Sequence, residues 1–233
     1  MRPVVRETWF KFSEPFEGRV PWMYQDVKGL VTIGVGNLID PVSLALDLPF
    51  IGPDGELVSR ADIDESWLKV KHHPSLARLG HRAAAIVSGL RLTKEAIDSL
   101  VLRKLDEMDR HLLKRFPAFD SWPACAQCAV LSMSWAMGPA FRYPKLEGAL
   151  LADDWGMAAN ECWISEQGNP GVHPRNVANR FMFLNAGTCH PDELVWDRRV
   201  DSEPDTLPDV PRIALNAIMD VAEWSVEQRK KDL

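Results

Sequence analysis

A chain of 233 residues, 46% hydrophobic and 26% charged, is long enough to bury one good core, or a core with an appended subdomain, and too apolar to remain disordered. Its net charge of −6, with no basic stripe, argues against nucleic acid as a target. The first residues lack an apolar segment of signal-peptide length and no run of 18 apolar residues follows, so the expectation is a protein made in the cytoplasm without a transmembrane segment.

Residues 4–16 read as a helix with Val5, Trp9, Phe10 and Phe12 available to a core and Pro15 as a stop. Glu17 falls just beyond it, where an acid can be half buried. Residues 19–38 read as short strands and turns, with an alternating pattern at Val31-Thr32-Ile33-Gly34-Val35-Gly36. The segment brings two carboxylates, Glu17 and Asp26, and a hydroxyl, Thr32, onto different short elements. Glycosidic bond hydrolysis needs two converging carboxylates: one protonates the leaving oxygen, the other directs water or stabilises the positive sugar centre. Taken singly, Glu17 is as well read as a helix-end acid, Asp26 as a turn former and Thr32 as a strand residue. It is their order that points to chemistry.

Residues 40–89 read as an added lobe. It has a Pro-Asp-Gly turn at 53–55 and a helix from Ser59 to Lys71, opened by a capping-box-like Ser59-Arg60-Ala61-Asp62 with apolar spacing at Ile63, Trp67 and Val70. The reading places this lobe near a cleft and outside the minimal catalytic fold. Thr93 caps a helix running to about 116, with a stripe at Ala96, Ile97, Leu100, Val101, Leu105, Met108 and Leu112. Pro123 opens a helix through Met137 that is apolar on every side, as a helix surrounded by others must be; Gly138-Pro139 stops it. Helices at about 144–152 and 154–164 follow, then a Gly/Pro loop at 167–171 and a helix at 173–185. Residues 201–211 read as an acidic linker and 212–231 as a final helix. Cys125, Cys128, Cys162 and Cys189 read by default as buried thiols; a metal site of Cys162, Cys189 and His190 is the less favoured alternative, a disulfide stays unassigned, and no cofactor is expected. Most of the nine tryptophans read as core, although aromatic platforms also suit sugar rings.

The run Glu17-Gly18, Tyr24-Gln25-Asp26, Gly29, Thr32-Ile33-Gly34-Val35-Gly36 resembles the active-site hairpin of the phage-type lysozymes and endolysins, muramidases of glycoside hydrolase family 24. Eight residues separate Glu from Asp and five separate Asp from Thr, as in that family. Gly89-Leu90-Arg91-Leu92-Thr93-Lys94-Glu95-Ala96 and Gln127–Gly138 resemble its later helices, so the resemblance covers about 10–38 and 89–188. It implies an α+β, mainly helical lysozyme-like fold with a small β-hairpin subdomain beside the active-site cleft. Residues 1–190 would be the catalytic domain, with the lobe at 40–89 inserted, and 191–233 a linker and helix. It implies catalytic Glu17, Asp26 and Thr32, with Tyr24 and Asn37 contacting or positioning substrate; Asn37 replaces the His frequent in the family. It also implies an Arg facing Glu17, here Arg175 or Arg180. The implied substrate is bacterial peptidoglycan in the periplasm of a host or target cell, cut between N-acetylmuramic acid and N-acetylglucosamine. The chain would serve as a prophage endolysin or as a delivered antibacterial effector with an immunity or inhibitor protein. A chitosanase-like glycosidase, a lytic transglycosylase and a non-catalytic glycan- or protein-binding module are the competing readings; Asp26 and Thr32 count against the transglycosylase.

Overall fold

The computed structural model describes residues 1–197 apart from Val27, Pro74 and Gly168; the linker at 201–211 and the helix at 212–231 expected from sequence lie outside the described residues. The fold is α+β and mainly helical. In chain order it runs α1 (Pro3–Glu17), β1 (Val20–Gln25), β2 (Val31–Gly34), β3 (Asn37–Leu38), α2 (Arg60–Lys71), α3 (Leu76–Leu79), α4 (His81–Ser88) and α5 (Lys94–Arg115). It continues with α6 (Ala124–Met137), α7 (Pro144–Leu151), α8 (Trp155–Glu161) and α9 (His173–Ala186). The described chain divides into two compact units, one of residues 1–12 with those from Met108 to 197, the other Ser13–Glu107. Both divisions fall inside helices, α1 and α5.

The unit Ser13–Glu107 holds an antiparallel sheet in the order β1-β2-β3. Tyr24 pairs with Thr32 and Gln25 with Val31; the register is irregular between Val20 and Tyr24. Thr32 pairs in turn with Leu38, and Ile33 with Asn37. Val31 and Ile33 are fully buried, as the central strand of so small a sheet must be. Residues 40–89 supply what covers it. Helices α2 and α4 pack on β1 and on each other, burying Ile63, Trp67, Val70 and Ala84. The Trp67 indole N–H donates to the Ile39 carbonyl at 2.7 Å, and Trp22 donates to the His81 carbonyl at 2.6 Å. The Ser59–Asp62 capping box forms in full, and Thr93 accepts from the Ala96 N–H at 3.2 Å.

One ion pair closes the base of the hairpin. Lys71 Nζ lies 2.6 Å from Asp40 Oδ2, which also accepts the Val31 N–H at 3.1 Å. Burial alone would push the Asp40 carboxyl up; the Lys71 bond, the Val31 N–H and the Lys71 charge outweigh it and hold the group below its ordinary range. A lowered folded-state value means the pair stabilises above the unfolded carboxyl's value of about 4 and is lost as pH falls through the folded one. Asp40→Asn is therefore expected to lower stability by about 1 kcal/mol at neutral pH. That gap to the parent should close below about pH 4, read from urea melts of both proteins across pH 3–7.

In the other unit α6 is the axis: Ala124 through Trp135 are all buried. Helix α9 packs along it, α8 packs on α9, and Trp9 of α1 meets Trp135 at 5.1 Å between ring centroids. The start of the chain is clasped. Met1 ammonium pairs with Asp120 at 2.5 Å and Asp109 at 3.0 Å, and Arg2 N–H donates to Gln127 Oε1 at 2.6 Å. Residues 191–195 stay with this unit: the Ala124 N–H donates to the Pro191 carbonyl at 2.7 Å, and Asn185 Nδ2 to the Val195 carbonyl at 3.0 Å.

Candidate active site

Glu17 is the last residue of α1. Pro15 sits inside the final turn without ending the helix, and Gly18 at φ +64° provides the left-handed stop. The carboxylate is half buried and lies against the β2–β3 turn: a Cβ built on Gly36 would stand 3.9 Å from Glu17 Oε2. That turn needs two left-handed glycines, Gly34 at φ +66° and Gly36 at φ +67°. It is braced by Asn37, whose Oδ1 accepts the Val35 N–H at 3.2 Å. Lys104 of α5 reaches the same turn and donates to the Gly36 carbonyl at 3.3 Å.

A methyl at position 34 would meet Asn37 Oδ1 at 3.1 Å and Ile97 Cγ2 at 3.4 Å. Gly34→Ala is thus expected to cost about 1–2 kcal/mol from the left-handed backbone alone, with the crowding added. Gly36→Ala, with ordinary contact distances, should cost only the backbone part. Paired thermal melts check the order.

Asp26 follows β1 and builds the β1–β2 turn. Its Oδ1 accepts the N–H groups of Lys28 at 2.8 Å and Leu30 at 2.9 Å, while its own N–H donates to the Leu30 carbonyl at 2.9 Å. The described contacts of its side chain all fall on Oδ1. Thr32, 5% exposed, donates from Oγ1 to the Leu30 carbonyl at 3.3 Å, which leaves its oxygen lone pairs as acceptors.

Tyr24 ties the set together. It stands opposite Thr32 across the ladder, so the two side chains share a face of the sheet. Its phenol is raised above its ordinary value, first by burial, then by the negative charges of Asp26 and of Glu17. The phenol thus lies within electrostatic reach of both carboxylates. Its ring meets His81 edge-on at 6.3 Å.

The structure thus brings Glu17, Tyr24, Asp26, Thr32 and Asn37 together in one unit, with Asn37 Oδ1 committed to the turn. Arg175 and Arg180 belong to the other unit. Arg175, 4% exposed in α9, donates through one terminal nitrogen to Ser132 O and Oγ, both at 3.2 Å. Arg180 lies one turn and a half further along; its charge lowers the Cys162 thiol, but burial dominates and pushes that thiol up to about 12. The contribution of Lys104 was not legible in the sequence, where it is one of several lysines on the polar side of a helix.

Among the described residues, no group of three or more His, Cys, Asp or Glu is placed to hold a metal ion. The four cysteines are free thiols, Cys189 less buried than the others. No helix among the described residues is long and apolar enough to cross a membrane. The chain matches no protein-family model, and a search of the curated proteins finds no similar one.

Proposed function

We propose that the protein is a peptidoglycan muramidase that hydrolyses the glycosidic bond between N-acetylmuramic acid and N-acetylglucosamine. The observation that carries this reading is Tyr24: one phenol lies in the field of both Glu17 and Asp26 and shares a sheet face with Thr32. Glu17 is the general acid and gives its proton to the leaving sugar oxygen. Asp26 stays an acceptor, Oδ1 fixed by the turn, and Oδ2 directs water or stabilises the oxocarbenium-like centre. Thr32 accepts a hydrogen bond from that water. Tyr24 donates from a neutral hydroxyl, and Lys104 steadies the turn against which Glu17 rests.

The residue set, and its resemblance to the phage-type lysozymes, support this reading over a chitosanase-like enzyme. The work would be done in the periplasm, as a prophage endolysin or as a delivered effector with an immunity partner. Because Asp26 also closes its own turn, a non-catalytic module that keeps the hairpin is the second reading. Digestion of purified cell wall separates them. Hydrolysis releases ordinary reducing ends; anhydro-sugar products would overturn the assignment in favour of transglycosylase chemistry, and intact wall in favour of the binding module.

A further inference from the structure

Of the described tryptophans, Trp9, Trp67, Trp122 and Trp135 are buried and Trp22, Trp155 and Trp196 partly so; only Trp163 is exposed, at 40%. It is nevertheless held. Its ring meets His173, the first residue of α9, at 5.6 Å and 75°. His173 Nδ1 lies 2.8 Å from Glu166 Oε1, and Asn176 Nδ2 donates to that same oxygen at 3.2 Å. Asn176 is fully buried and also clamps the neighbouring backbone, accepting from the Ile164 N–H at 2.9 Å and donating to the Ile164 carbonyl at 2.8 Å. Burial would push the Glu166 carboxyl up, but the His173 and Asn176 bonds, the His173 charge and the Trp163 indole together hold it below its ordinary range. His173 and Asn176 both bond Glu166 at Oε1, and about a third of the Glu166 and His173 side chains is exposed, at 34% and 30%.

An indole surface of fixed orientation, rimmed by a carboxylate and an imidazole, is a preorganised apolar face with a few placed polar groups. The carboxylate disfavours phosphates and other anions. A neutral polyhydroxylated ring meets both demands, its C–H face on the indole and its hydroxyls on the rim. We propose that Trp163, with Glu166 and His173, is a carbohydrate-binding platform for a pyranose ring of an N-acetylated glycan. The choice of sugar rests on the muramidase reading; the platform itself rests on the geometry around α9.

The test uses the full chain carrying Glu17→Gln, so that turnover does not consume the probe, with tetra-N-acetylchitotetraose titrated by calorimetry. Trp163→Ala is expected to weaken binding by about tenfold, with an unchanged melting temperature. Trp163→Phe, which keeps a smaller ring, should retain most of the affinity. In the active protein Trp163→Ala should raise KM on wall fragments and spare kcat. No binding by the parent, unchanged affinity in Trp163→Ala, or equal loss in the Phe variant overturns the platform. Loss of the platform with reducing ends still released from wall leaves the muramidase reading standing; Trp163-dependent binding without such release does the reverse.

Discussion

Glu17→Gln is expected to lower wall hydrolysis by about 10²–10⁴-fold, the usual weight of a positioned general acid. The substitution is nearly isosteric, so the side chain still fits against the Gly36 turn. Stability should move the other way. Glu17 ends α1, where a negative charge opposes the helix dipole, and that last turn carries no basic residue. Removing the charge there should leave the melting temperature unchanged or raise it, by up to about 1 kcal/mol of stability. Activity assays and thermal melts on the same preparation check both halves. Retention of most of the rate would remove Glu17 from the role of acid, whatever the melts show.

Trp67→Ala is expected to cost about 3–5 kcal/mol through the cavity left between α2 and the sheet. It also orphans the buried Ile39 carbonyl that the indole N–H now satisfies at 2.7 Å, for roughly another 1–3 kcal/mol. Against a total stability of about 5–15 kcal/mol this is enough to unfold the unit Ser13–Glu107 under mild conditions. Urea denaturation followed by circular dichroism would show it, and Trp67→Phe should recover the packing part alone. The same reasoning bears on the segment 40–89 as a whole. Its buried residues face β1 and β2, so replacing it with a short Gly/Ser connection would strip the sheet that carries Tyr24 and Thr32.

What the sequence made legible follows from how local the signal is. Caps and stops at Ser59, Thr93, Pro123 and Gly138 place α2, α5 and α6 within a residue or two of their ends, because each acts on the backbone beside it. Helices α3 and α4 carried no such signal. They span four and eight residues, too short for a period to show, and Ile86 in α4 is 89% exposed. Pro15 misleads as a stop, since the last turn tolerates it and the chain stays helical to Glu17. The unit boundaries fall inside α1 and α5, where composition marks no linker. At the candidate site, residue type and order suggest Glu17, Tyr24, Asp26 and Thr32, which lie in one unit of the structure. That Asn37 braces the turn and that Lys104 reaches Gly36 is not legible there, because both depend on a left-handed turn and on a helix 68 residues away.

Gln25 sits between Tyr24 and Asp26, on the opposite face of the pleat from Tyr24, and is buried. Its amide nitrogen donates to the carbonyls of Val70 and Lys71, both at 2.8 Å, and its oxygen accepts the Ala77 N–H at 3.0 Å. Both carbonyls belong to the last turn of α2, and that of Val70 also accepts the His73 N–H at 3.4 Å. A slip of one residue in β1 would carry Gln25 round to the Tyr24 side and break all three of its bonds. Gln25 therefore fixes the phase of the strand. A buried amide thus decides which side chains of the strand face Thr32, a constraint that no count of candidate site groups would reveal.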